Sequence, residues 1–160
     1  MPNPIAKIDV TVNSFEYEKT PDNPKVFCEA TFVKNAASTD GGRVQIFPWS
    51  IGPLQFYIIS FFAGAGPVDL EFNILDPAGA QNKYIPTRVK FEQKPQGGKK
   101  TDADGTNNFK NPKPNGNKIK ITNHYQHHSP TGVYWECFIH IYRAADTLTG
   151  VIDPGIENAE

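Results

Sequence analysis

The residues best equipped for chemistry lie in NHYQHHSPTGVYWECFIHIYR, residues 123–143, where His124, His127 and His128 fall within five positions and His140 follows. Imidazoles this close invite a zinc reading. Zinc wants three or four ligands in fixed geometry, and no CxxC or HExxH pattern supplies them. In an extended segment adjacent side chains diverge to opposite faces, so His127 and His128 cannot easily grip one ion. The expectation is a polar hairpin loop turning at SPTG, with no metal. In DADGTN, Asp102, Asp104, Gly105 and Asn107 are spaced like the start of a calcium loop. No acidic residue follows at the EF-hand distance and lysines flank the stretch, so a turn is expected instead.

Catalysis finds no better support. Cys28 and Cys137 each fall on the expected inward face of a strand, where thiols are inert. Glu136 and His140 share a strand face but stand about two pleat repeats apart, too far to act as a hydrogen-bonded pair. GAGP at 64–67 lacks the strand-to-helix setting of a phosphate loop. The chain is expected to be no enzyme and to carry no cofactor. For the two cysteines, buried free thiols are the leading expectation and a bridge between early and late strands the alternative. Trp49 lies between them, as in an immunoglobulin-type sandwich, but the cysteine spacing is longer, and Trp135 rather than Tyr134 sits two before Cys137.

The elements that must position these residues are strands. Ile8, Val10 and Val12 alternate with Lys7, Asp9 and Thr11. VFCEATFV places Val26, Cys28, Ala30 and Phe32 inward, and VDLEFNIL does the same with Val68, Leu70, Phe72 and Ile74. YIPTRVKF sets Ile85, Thr87, Val89 and Phe91 against Arg88 and Lys90; NKIKIT pairs Ile119 with Ile121. No window keeps a helical period with caps. About eight or nine short strands imply an all-β fold: an antiparallel β-sandwich or jelly roll, one domain over 1–160.

Two strands carry more apolar surface than one core face needs. LQFYIISFF is apolar on both sides, with Leu54, Phe56, Ile58 and Phe62 on one and Tyr57, Ile59 and Phe61 on the other, so it wants cover on both. In VYWECFIHIY, Trp135, Cys137, Ile139 and Ile141 form a core face. Tyr134, Glu136, Phe138, His140 and Tyr142 form an aromatic outer stripe. Together with Tyr57 and Phe61, that stripe is the candidate contact surface: an interface with another copy, a glycan platform, or a face closed by the chain's own long loop.

That loop, 92–117, is rich in Gly, Asn and Lys and divides the charge. From Lys83 to Lys120 there are ten basic and three acidic residues, against six basic and fourteen acidic elsewhere. Lys94, Lys99, Lys100, Lys110 and Lys113 are the candidate contacts to an acidic surface. Only Phe109 interleaves the lysines, so nucleic acid is not expected as a partner. With 38% hydrophobic and 21% charged residues, no signal-peptide core and no stretch that could span a bilayer as a helix, the expectation is a soluble, cytoplasmic protein without a membrane partner. The ending LTGVIDPGIEN resembles the last strand of small bacterial inclusion-body-type β-sandwich proteins over about ten residues, and no residue role is carried over from it. The leading functional expectation is self-association into an oligomer or larger assembly, weakening as salt screens charged contacts. The runner-up is a carbohydrate- or other ligand-binding module.

Overall fold

The computed structural model describes residues 2–52, 54–62, 66–94, 102–125 and 132–159. Among them are eleven strands and no helix: β1 (Ile5–Ser14), β2 (Glu29–Lys34), β3 (Val44–Ile51), β4 (Leu54–Phe61), β5 (Val68–Leu75), β6 (Tyr84–Gln93), β7 (Phe109–Asn115), β8 (Lys118–Asn123), β9 (Val133–Arg143), β10 (Leu148–Ile152) and β11 (Gly155–Asn158). No helix of the described residues is long and apolar enough to cross a membrane.

The strands form two packed sheets, a β-sandwich as expected. The first runs β2-β1-β5-β8-β7. In the second, the long β9 pairs with β6 on one edge, and with β10 and β11 in succession on the other. β4 and then β3 continue beyond β11. Most neighbours are antiparallel, but β1 pairs β5 and β11 pairs β4 in parallel, so both sheets are mixed. These partners are far apart in the chain and are joined through intervening strands, which is what a parallel neighbour requires.

The core lies between the sheets. Ile8, Val10, Leu70, Phe72, Ile119 and Ile121 of the first sheet meet Ile59, Phe61, Trp135, Ile139, Ile141 and Ile156 of the second, all essentially fully buried. Each such side chain contributes roughly 1.5–3 kcal/mol. Cys137 is part of this core and Cys28 is buried at its margin; both are free thiols. The single strong alternations of β1 and β5 follow the sequence expectation residue for residue.

Three local expectations are corrected. Val26 is exposed, because β2 begins only at Glu29. In β6 the register shifts between Pro86 and Arg88, so Tyr84 and Pro86 face inward and Ile85 outward, and the phase reverses before Val89 and Phe91. A bulge of this kind adds one residue and flips every side chain after it. The stretch 92–117 is not all loop: β6 reaches Gln93, and Phe109–Asn115 forms β7. Pro112 and Pro114 hid this strand, since they cost it two ladder donors, which only an edge strand tolerates.

The turn before β7 is anchored to the core. Asp102 accepts hydrogen bonds from the amides of Asn107 and Asn108, and its own carbonyl accepts one from Trp135 Nε1. Asp104 accepts from the amide and hydroxyl of Thr106. The carboxylates of DADGTN thus bind their own backbone. Gly105, at φ +72°, lets the turn press on Phe91, whose Cβ would lie 2.7 Å from any added Cβ. Phe91 and Phe109 stack at 4.0 Å over the edge of Trp135. Beside them Asn108, Asn123 and Asn158 close a buried ring of carboxamides, each donating to the next at 2.7, 2.8 and 3.1 Å.

Candidate contact surfaces of the second sheet

Alternation along β9 puts Tyr134, Glu136, Phe138, His140 and Tyr142 on the outer face of the second sheet, as the sequence implies. The β1–β2 connection, residues 15–28, packs on part of this face. Its Glu18 amide donates to the Thr149 carbonyl and its Cys28 amide to that of Val151, which ties the connection to the otherwise open edge of β10. Phe27 stacks on Phe138 with ring centroids 6.0 Å apart. Asp22 pairs with Arg88 and Lys90 of β6. The connection is folded around Glu18, whose carboxylate accepts from the amides of Thr20, Lys25 and Val26. The amides of Thr20, Val26 and Lys25 hold that carboxyl down at about 2.

The stripe is therefore closed in part by its own chain. His140 is 1% exposed, and neither ring nitrogen has a hydrogen-bond partner among the described residues. Burial, aided by Arg88 and Lys90, pulls its pKa down to about 4, so the ring is neutral at pH 7. The Tyr134 ring lies across Gly155, where a Cβ would come within 2.2 Å of the hydroxyl. Burial first, then Asp153, Glu136 and Glu157, raises this hydroxyl to about 12. Glu136 pairs with Lys94 at 3.0 Å.

Tyr57 and Phe61 are not part of this surface. They sit on the inward face of β4, Phe61 buried in the core and Tyr57 against Phe32 at 5.2 Å. Tyr57, Ile59 and Phe61 of β4 all pack on the core between the sheets. Lys110 and Lys113 are exposed on β7, while Lys94 is spent within the chain. Lys99, Lys100, His127 and His128 lie outside the described residues; His124 is half-buried at the end of β8.

The outer face of β3 and β4 carries the open surface that sequence reasoning only half found. Phe47 pairs across with Ile58, and Trp49 with Phe56. Phe47, Trp49 and Phe56 are 44%, 53% and 38% exposed. Phe62 completes the group, edge-on to Phe47 at 6.3 Å. The demand of β4 for cover on a second side was legible. The partner aromatics of β3 are less legible, because Pro48 interrupts the alternation of Phe47 and Trp49 with Val44 and Ile46.

Beside this face lies a groove of about 700 Å³, bordered by Val26, Phe27, Phe32, Phe56, Tyr57 and Asp153. It opens because β11 pairs only with Ile58–Phe61 of β4, while the neighbouring β10 takes Cys28 at its Val151 carbonyl instead. Asp153 stands where β10 ends and β11 begins, one of its oxygens buried without a hydrogen-bond partner among the described residues. Burial above all, then Glu136, pushes its pKa up to about 7, against the pull of Lys94. The thiols of Cys28 and Cys137 are also pushed up by burial and keep their protons at pH 7, so neither is a ready nucleophile. No protein-family model matches this chain, and no curated protein matches it either.

Proposed function

We propose that this protein works through surface contact without chemistry, and that it self-associates by the outer face of β3 and β4. The observation that carries this reading is the cluster of Phe47, Trp49 and Phe56, adjacent on one sheet face and each more than a third exposed. Contiguous aromatic surface of this kind is costly to leave wet and resembles the centre of a protein interface. A second copy is the occupant the surface suits, since a flat apolar sheet face is self-complementary about a two-fold axis.

Contact is by the face rather than by the edge. Pro48 interrupts the free edge of β3, as Pro86 does that of β6 and Pro112 and Pro114 that of β7, which discourages strand addition there. Electrostatic attraction contributes less than the sequence suggested, because Lys94, Arg88 and Lys90 are paired within the chain. Light scattering tests the reading. The expected mass is at least twice 17.8 kDa, and it persists at high salt, where apolar contacts survive and charged ones are screened. A monomer at all concentrations removes it; a monomer that binds a glycan array through Trp49 instead supports the carbohydrate-binding alternative.

A further inference from the structure

The groove beside Asp153 shares Phe56 with the β3–β4 face, but the carboxyl at its other end gives it a different chemistry. One wall is aromatic, formed by Phe27, Phe32, Phe56 and Tyr57, and polar side chains such as Asn13, Thr31 and Gln55 line the rest. Its volume falls in the range of small-ligand sites. Two carboxyls border it, the exposed one of Glu29 and the more enclosed one of Asp153. The fold gives the Asp153 carboxyl little help. Its Oδ1 lacks a hydrogen-bond partner among the described residues, and the cation beside it, Lys94, is bonded to Glu136. Glu136 and Glu92 add negative charge nearby, so this end of the groove carries an excess of acid over base. The other charged residues of the wall, Lys25 and Glu29, are exposed and of opposite sign.

We propose that this groove is a binding site for a small organic cation, an ammonium group carrying an aromatic or aliphatic body. The ammonium donates to the Asp153 carboxylate and supplies the positive charge that the protein withholds. The rings of Phe27, Phe56 and Tyr57 receive the apolar body and add a cation–π attraction where a ring face meets the charge. An anionic ligand is disfavoured by the same acidic end, and a neutral one gains only the apolar contact. The site is formed by the insertion of the β1–β2 connection between β10 and β4, so it exists only in the folded sandwich.

The test is a titration of the isotopically labelled full chain at pH 8, followed by amide NMR shifts. The probes are benzylammonium chloride, benzyl alcohol and sodium benzoate. Benzylammonium is expected to shift the amides of 26–28, 55–57 and 152–153, binding at least about tenfold more tightly than benzyl alcohol, with benzoate silent. Asp153→Asn, which keeps the shape, is expected to erase the difference between amine and alcohol. Val26→Lys, at an exposed wall position, is expected to weaken the amine alone by placing a like charge at the mouth. Equal binding of amine and alcohol, an amine preference that survives in Asp153→Asn, shifts confined to other parts of the chain, or no binding would each overturn the proposal. The shifts at 26–28 and 152–153 lie outside the β3–β4 face, so they read this site whether or not the chain self-associates.

Discussion

Trp49 of β3 and Phe56 of β4 stand directly opposite each other on the outer face of the second sheet, and both remain substantially exposed. Directly opposed side chains in an antiparallel pair lie close enough to act as one surface. Two neighbouring strands thus present rings outward with nothing over them among the described residues, while a few strands away Phe138 of β9 is stacked against Phe27. That contrast is what supports the proposed use of the β3–β4 face.

Trp49→Asp is the direct probe of that face. The side chain is already half in water, so the monomer fold should change in stability by less than about 1 kcal/mol. Association should fall by tenfold or more, because the aspartate must be desolvated on docking. Light scattering across a concentration series reads the effect, and an unchanged oligomer would move the interface elsewhere.

Asp153 makes a pH-dependent claim. Its folded pKa, about 7, lies above the ordinary aspartate value of 3.8, so the folded state holds this proton more tightly than the unfolded chain does. The resulting stabilisation is complete below about pH 4 and is lost as pH rises through about 7. Asp153→Asn should therefore be more stable than the native chain at pH 8, by an amount on the order of 2 to 4 kcal/mol. The gap should close by pH 4. Urea unfolding at both pH values measures it; a variant weaker at pH 8 would show that the carboxylate is satisfied.

Glu18 has the opposite sign. Its pKa is lowered from 4.5 to about 2 by the amides of Thr20, Val26 and Lys25. The stabilisation it brings is present above about pH 4.5 and disappears as pH falls through about 2. Glu18→Gln should loosen the β1–β2 connection at neutral pH, raising amide exchange at Lys25 and Val26. At pH 2 the variant and the native chain should exchange alike.

The carboxamide ring gives a prediction about the core. Asn123→Ala removes the acceptor for Asn108 Nδ2 and the donor to Asn158 Oδ1 in a buried setting. A loss of about 2 to 4 kcal/mol is expected in urea unfolding, against less than about 0.5 for Lys118→Ala at an exposed position. A loss below about 1 kcal/mol would mean that water or a neighbour replaces both bonds.

The sequence by itself determined the sandwich class and the facing of its regular strands. A period of two is a local property: Val68, Leu70, Phe72 and Ile74 turn to one side wherever the strand is placed. It also marked β4 as needing cover twice. It could not mark β7, whose prolines erase the pattern, or the bulge in β6, where one extra residue reverses the faces. Only the tertiary structure decided which outward rings stay wet. Phe138 is covered by Phe27, more than a hundred residues earlier, and Asp153 shares its groove with a connection drawn in from the other sheet. Cover is a long-range property, set by where distant segments cross rather than by the residues they cross, so alternation can show which side chains leave the core but not what meets them outside.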